Sequence, residues 1–187
     1  MSTSNIVLIV GVLLMLIFGN YLIAIFNKLV TLKNNYEKAF GNIDVILMQR
    51  AEEIPNLVKV AQRFLDHETK ILTDLTKLRT DYLNAGSIDE KINNSVDFSQ
   101  TIKSLFAVSE NYPVLSSNNN FIELQERVSI LEDKIADRRE FFNDSINLYN
   151  IGIQIFPNFI VAKLLGYSNK SLFPVSDNQK SYDGIQF

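Results

Sequence analysis

Side chains able to do chemistry are few and scattered in this chain. His67 is the only histidine and there is no cysteine. This excludes a two-histidine metal site, a thiolate site, a cysteine nucleophile, a disulfide and a lipidated N-terminal cysteine. His67 stands between Asp66 and Glu68. A carboxylate neighbour can tune an imidazole, but adjacent helix residues point in different directions, so His67 reads as a partly exposed structural residue. The seven glycines are dispersed singly. They leave no loop to cradle a phosphate, and no Gly-x-Ser-x-Gly elbow occurs. No catalytic, cofactor-binding or metal-ligating residue is expected, no cofactor, and no enzymatic activity.

Two charged residues break apolar stripes instead. Glu68 falls between Phe64 and Ile71, and Arg138 between Ile135 and Phe142. If their helices pack together, a buried Glu68–Arg138 pair would fix register rather than catalyse. Asp44 and Arg50, on the first bundle helix near the turn expected at Pro55, invite the same structural reading. A bundle that bound a small ligand should gather polar groups inside, and Asn42, Asn143, Asn147 and Asn150 are the candidates for that role.

The elements that must position these residues are set by hydrophobic patterning. Residues 6–26, IVLIVGVLLMLIFGNYLIAIF, carry no charge, and 21 residues at about 1.5 Å each span a bilayer core. A cleaved signal peptide would want a basic leader, a shorter apolar run and a small-residue cleavage site; residues 1–5 hold no lysine or arginine. Lys28, Lys33 and Lys38 come after the span, so the positive-inside bias puts residues 1–5 outside and the rest in the cytoplasm. Gly11 and Gly19 fall near one helix face and offer close packing to a second span; two tolerated glycines in a lipid-facing helix are the plainer reading.

Leu29, Leu32, Tyr36, Phe40, Ile43, Leu47 and Ile54 repeat at helical spacing, with no break after Phe26. One helix of roughly 70 Å would therefore run from outside the membrane to Pro55. The residues Glu53–Asn56 are expected to form a tight turn between antiparallel helices, a kink in one continuous helix being the alternative. A second stripe holds Leu57, Ala61, Phe64, Ile71, Leu75, Leu78 and Tyr82. Residues 84–95 read as a loop, 96–111 as a shorter helix ended by Pro113, and Ser116–Asn120 as a connection whose asparagine caps the next helix. The last stripe is Phe121, Leu124, Val128, Leu131, Ile135, Arg138, Phe142, Tyr149 and Ile153, broken by Pro157.

These patterns give an all-α fold: a single-span transmembrane helix continuing into an antiparallel, up-down, coiled-coil-like helical bundle over 28–167. A flexible tail is expected at 168–187. In an up-down order, 156–167 returns to the membrane, where Phe159, Ile160, Leu164 and Leu165 either dip into the bilayer surface or close the bundle base. With 18 basic against 21 acidic residues and net charge −3, there is no basic field for nucleic acid.

Tyr36-Glu37-Lys38-Ala39-Phe40-Gly41-Asn42-Ile43-Asp44-Val45, then Arg50, Ile54-Pro55-Asn56-Leu57-Val58 and His67-Glu68, resemble the signature of the LemA family. Arg138, Phe142-Asn143, Tyr149-Asn150 and Phe156-Pro157-Asn158 look like that family's closing motif of aromatic-Asn pairs before Phe-Pro. The likeness covers nearly everything except the tail. Phe40 stands where the family often has Trp, and Phe142 where it often has Tyr. The resemblance implies a bacterial inner-membrane protein with its N-terminus outside and a cytoplasmic helical bundle, and it supplies no catalytic residues. The expected role is a non-enzymatic scaffold or adaptor that contacts membrane lipid, forms a homo-oligomer or docks an unidentified protein partner, and binds no nucleic acid. A signalling accessory holding a small ligand or partner helix in the bundle is the alternative.

Overall fold

The computed structural model describes residues 3–65 and 67–174. Among them there are six helices and no strand: α1 Thr3–Ala61, α2 Thr69–Asn84, α3 Ile88–Ser109, α4 Pro113–Ser116, α5 Asn119–Gln154 and α6 Asn158–Leu164. Two compact units share α1 and α5. One comprises Met1–Lys38 and Asp144–Ser171, the other Ala39–Asn143 and Leu172–Phe187.

The second unit is built on the buried faces that the spacing anticipates. Phe40, Ile43, Leu47, Ala51, Ile54, Leu57 and Ala61 of α1 are buried. They meet Leu72, Leu75 and Tyr82 of α2, Phe98, Ile102 and Leu105 of α3, and Phe121, Val128, Leu131, Ile135 and Phe142 of α5. Cross-links set the directions. Ala51 pairs with Arg79 and Asp44 with Tyr82, so α2 runs antiparallel to α1. Asp44 pairs with Lys91 and Arg50 with Ser99, so α3 runs parallel to it. Phe40 packs on Phe142 and Arg50 meets Glu132, so α5 is antiparallel. The order is up-down-up-down, as the four stripes require.

Two sequence expectations about connections are corrected. No turn forms at Glu53–Asn56, because α1 passes through Pro55 and ends at Ala61; the chain turns after Ala61 and α2 begins at Thr69. Proline lacks the N–H that would bond the carbonyl of Ala51 four residues earlier, and that is why it usually ends a helix. Here the Arg79 Nε–H of α2 donates to that carbonyl at 2.9 Å. The orphaned acceptor is satisfied from a neighbouring helix, and Pro55 itself sits on the exposed face.

The loop expected at 84–95 shrinks to residues 85–87, and the helix expected at 96–111 starts at Ile88. Ser87 caps it, accepting from the Glu90 N–H at 3.2 Å, while Glu90 Oε2 accepts from the Gly86 N–H at 2.8 Å. This is a Ser-x-x-Glu capping arrangement with the glutamate reaching one residue further back. The cap expected before the last helix is Asn118, whose Oδ1 accepts from the N–H groups of Asn120 and Phe121.

In the first unit α1 and α5 are antiparallel and close. The rings of Tyr36 and Tyr149 lie 4.8 Å apart, and a Cβ on Gly152 would come within 2.3 Å of Leu32 Cδ1. After Pro157, the Asn158 amide donates to the Gly152 carbonyl at 3.0 Å. The end of α6 is closed by Gly166 at φ +68°, with the Tyr167 N–H bonded to Ala162 O and the Gly166 N–H to Lys163 O. That double closure needs a left-handed residue, which glycine supplies without a Cβ penalty. It brings Tyr167 to 6.0 Å from Tyr149.

The tail expected from residue 168 begins as a pinned segment. Asn150 both donates to the Lys170 carbonyl and accepts from its N–H. In the second unit Asn143 does the same for Phe173, whose ring is buried. Residues 175–187 lie outside the described residues.

Candidate functional site

The most unusual constellation is a polar centre within the second unit. Arg50 takes a core position between Leu47 and Ile54, and its side chain is fully buried. Its Nη1 donates to Glu132 Oε1 and to Ser99 Oγ, each at 2.6 Å, and its Nη2 to the Ser95 carbonyl at 3.3 Å. The guanidinium lies over the Phe98 ring at 4.7 Å, a favourable place for a cation. Ser99 Oγ is 2.9 Å from Glu132 Oε2, so the serine bridges the ion pair. Burying such a pair removes two charges from water, and the attraction repays this only when the hydrogen bonds are nearly complete. Here they nearly are: within this centre Arg50 Nε lacks a partner among the described residues.

Asp44 makes the second polar link. It accepts from the Tyr82 hydroxyl at 2.6 Å and from Lys91 Nζ at 2.8 and 2.9 Å. Burial, reinforced by the Asp44 carboxylate, raises the Tyr82 phenol well above its ordinary pKa, which keeps it a neutral donor. A third link is Arg127 with Glu53. All three span different helices; Glu53 Oε2 and Arg50 Nε are left without a partner among the described residues.

The residues singled out by the sequence divide clearly. Asp44 and Arg50 both link helices, paired with other residues rather than with each other. The Glu68–Arg138 pair does not form. Glu68 lies in the turn before α2, and Arg138 is exposed. One position on, Arg139 takes the inward place, its guanidinium 4.4 Å from the centre of the Phe173 ring. Burial lowers the Arg139 pKa. Tyr149 is buried between Tyr36 and Tyr167, and burial raises its pKa. Asn150 holds the backbone of Lys170, and Pro157 leads into α6. Gly11 and Gly19 lie in open space along α1, where an added Cβ meets nothing.

Glu132, Ser95, Ser99, Lys91 and Arg79 do not stand out in the sequence. Glu132 sits among charged neighbours that read as a solvated face, and Ser95 lies in a stretch that reads as loop. The available signal is Arg50 itself, since an arginine inside an apolar stripe requires a carboxylate partner.

Chemically, these arrangements brace helices. No group of three or more His, Cys, Asp or Glu residues gathers to hold a metal among the described residues. A groove of about 320 Å³ is lined by Gln62, Leu65, Thr69, Leu72, Thr73 and Thr76. Its Thr73 and Thr76 hydroxyls already donate to carbonyls one turn back. The remaining feature is apolar. Within α1 an 18-residue window reaches a mean hydropathy of 2.7 with none of it buried, the profile of a bilayer-crossing helix.

A sequence model of the LemA family matches residues 39–187. The magnetosome protein MamQ 2 of Paramagnetospirillum magneticum is 23% identical over 193 residues, covering 89% of this chain and 71% of that protein. The magnetosome protein MamQ of Magnetospirillum gryphiswaldense is likewise 23% identical, covering 90% and 72%.

Proposed function

This chain belongs to the LemA family, and on that premise we propose that it is a membrane-anchored, non-enzymatic helical scaffold or adaptor. It is membrane-associated through α1. In this reading α1 is a single span of the bacterial inner membrane, residues 1–5 lie outside, and the bundle stands in the cytoplasm. There the protein self-associates, docks protein partners, or both.

One observation carries the reading: the polar groups at the centre of the bundle tie its helices to one another, in Arg50–Glu132 and Asp44–Tyr82–Lys91. They stiffen the helices. A braced bundle attached to an apolar helix is suited to holding surfaces in place. The exposed apolar length of α1, with Gly11 and Gly19, supplies a face on which a second copy could pack.

Orientation is testable because the chain has no cysteine. A Ser4→Cys variant should react with a membrane-impermeant maleimide on intact cells, and a Ser87→Cys variant only after lysis; the reverse pattern overturns the topology. For self-association, native mass measurement of the full-length protein in mild detergent should give a defined oligomer. A monomer at every concentration rejects it.

A further inference from the structure

The first unit shows a surface that neither the anchor nor the bundle explains. Along α1 the buried positions begin at Ile25 and continue at Leu29 and Tyr36. From Thr3 to Ala24 every residue is exposed except half-exposed Gly19. The helical cover over α1 therefore ends at Ile25, one residue inside the apolar run that closes at Phe26. The antiparallel register agrees. Tyr149 is level with Tyr36 and Gly152 with Leu32, so the chain beyond α5 lies level with the point where α1 enters lipid.

At that level the surface is apolar. Asn158 and Ala162 turn inward on α6, while Phe156 is 78% and Leu164 83% exposed, with Phe159 and Ile160 exposed between them and Ile155 exposed just before. The Phe156 and Phe159 rings pack on each other at 6.3 Å, forming a wedge. Charge points the same way. This unit holds Lys28, Lys33, Lys38, Lys163 and Lys170 against Glu37 and Asp144, whereas the whole chain is net negative. An apolar wedge on a unit with an excess of lysine is the chemistry of an anionic bilayer interface.

We propose that α6 and the preceding Phe156 insert into the headgroup-acyl boundary of the same leaflet that α1 crosses, forming a second, peripheral membrane contact. The occupant of this face is lipid, because the register sets the face level with the point where α1 enters the membrane and the unit carries an excess of lysine. Two contacts at one leaflet would fix the rotation of the protein about the axis of α1, which a lone span leaves free. The inference rests on the reading of α1 as a span, and the test separates the two.

The chain contains no tryptophan, so single tryptophans report cleanly. Leu13→Trp, Phe156→Trp, Leu164→Trp and Val114→Trp variants of the full-length protein are reconstituted in phosphatidylethanolamine-phosphatidylglycerol vesicles with and without brominated acyl chains. Leu13→Trp should be quenched by bromine, and exposed Val114→Trp on α4 should emit as in water and stay unquenched. Phe156→Trp and Leu164→Trp should both shift to the blue and lose emission in brominated lipid. If Leu13→Trp is quenched while both α6 probes emit unquenched in the red, the wedge faces water and the proposal fails. Blue-shifted but unquenched α6 probes also overturn it, since protein then covers the face. An unquenched Leu13→Trp rejects the span and this inference with it. The two α6 probes occupy the most exposed positions, so either one suffices if the other fails to fold.

Discussion

Replacing Pro55 by alanine should stabilise the protein, and the gain should depend on Arg79. Proline in a helix interior is about 3 kcal/mol less favourable than alanine, and Pro55 is exposed, so truncating its ring forfeits little packing. The Arg79 Nε–H bond to the Ala51 carbonyl already offsets part of that penalty. A hydrogen bond from a charged donor contributes about 1.5–3 kcal/mol. Pro55→Ala alone should therefore gain only about 0–1.5 kcal/mol. Arg79→Met keeps the side-chain stem and removes the donor, leaving a buried carbonyl unpaired beside Pro55. That should cost about 1–3 kcal/mol. In the Pro55→Ala background the new N–H reaches the same carbonyl, and Arg79→Met should cost about half as much or less. The assay is denaturant unfolding of the detergent-solubilised protein for all four members of the cycle, monitored by helical circular dichroism. Equal costs of Arg79→Met in both backgrounds would refute the account of why α1 survives its proline.

Arg50→Met should destabilise by about 3–5 kcal/mol because it strands the Glu132 charge, and Arg50→Met with Glu132→Leu should recover much of the loss in the same unfolding assay. Tyr82 gives a pH signature. Its folded pKa lies above the unfolded value of about 10, so its contribution is full below about pH 10 and falls as pH rises beyond it. Unfolding midpoints at about pH 9 and about pH 11 should show this decline, and Tyr82→Phe should flatten it. Gly152→Ala drives a Cβ against Leu32 Cδ1 and should cost about 1–3 kcal/mol of thermal stability, with partial rescue by Leu32→Ala, which removes the clashing atom.

Much of this architecture is legible along the chain. The apolar run, the four stripes and the cap at Asn118 are local signals, because side chains at three-and-four spacing must share a helix face whatever packs on it. Arg50 too is legible as an anomaly in its stripe. The Ser87-x-x-Glu90 cap is equally present, but the surrounding Asn and Ser residues suggest a loop. Arg138 and Arg139 differ by about 100° around the helix, and the stripe's periodicity admits either as the inward residue. Packing against Phe173, 34 residues later in sequence, selects Arg139.

Whether Pro55 would end α1 has no local answer. The missing N–H is a property of residue 55, but the donor that replaces it belongs to Arg79, 28 residues from the carbonyl it caps. The carboxylate for Arg50 lies 82 residues away, and the surface left on α6 depends on where the cover over α1 stops. Helix formation and membrane partition are driven by short-range spacing and composition, so they can be read from the residues in order. Satisfying a buried polar group requires a specific partner at hydrogen-bond distance, and only the folded chain decides which residue arrives there.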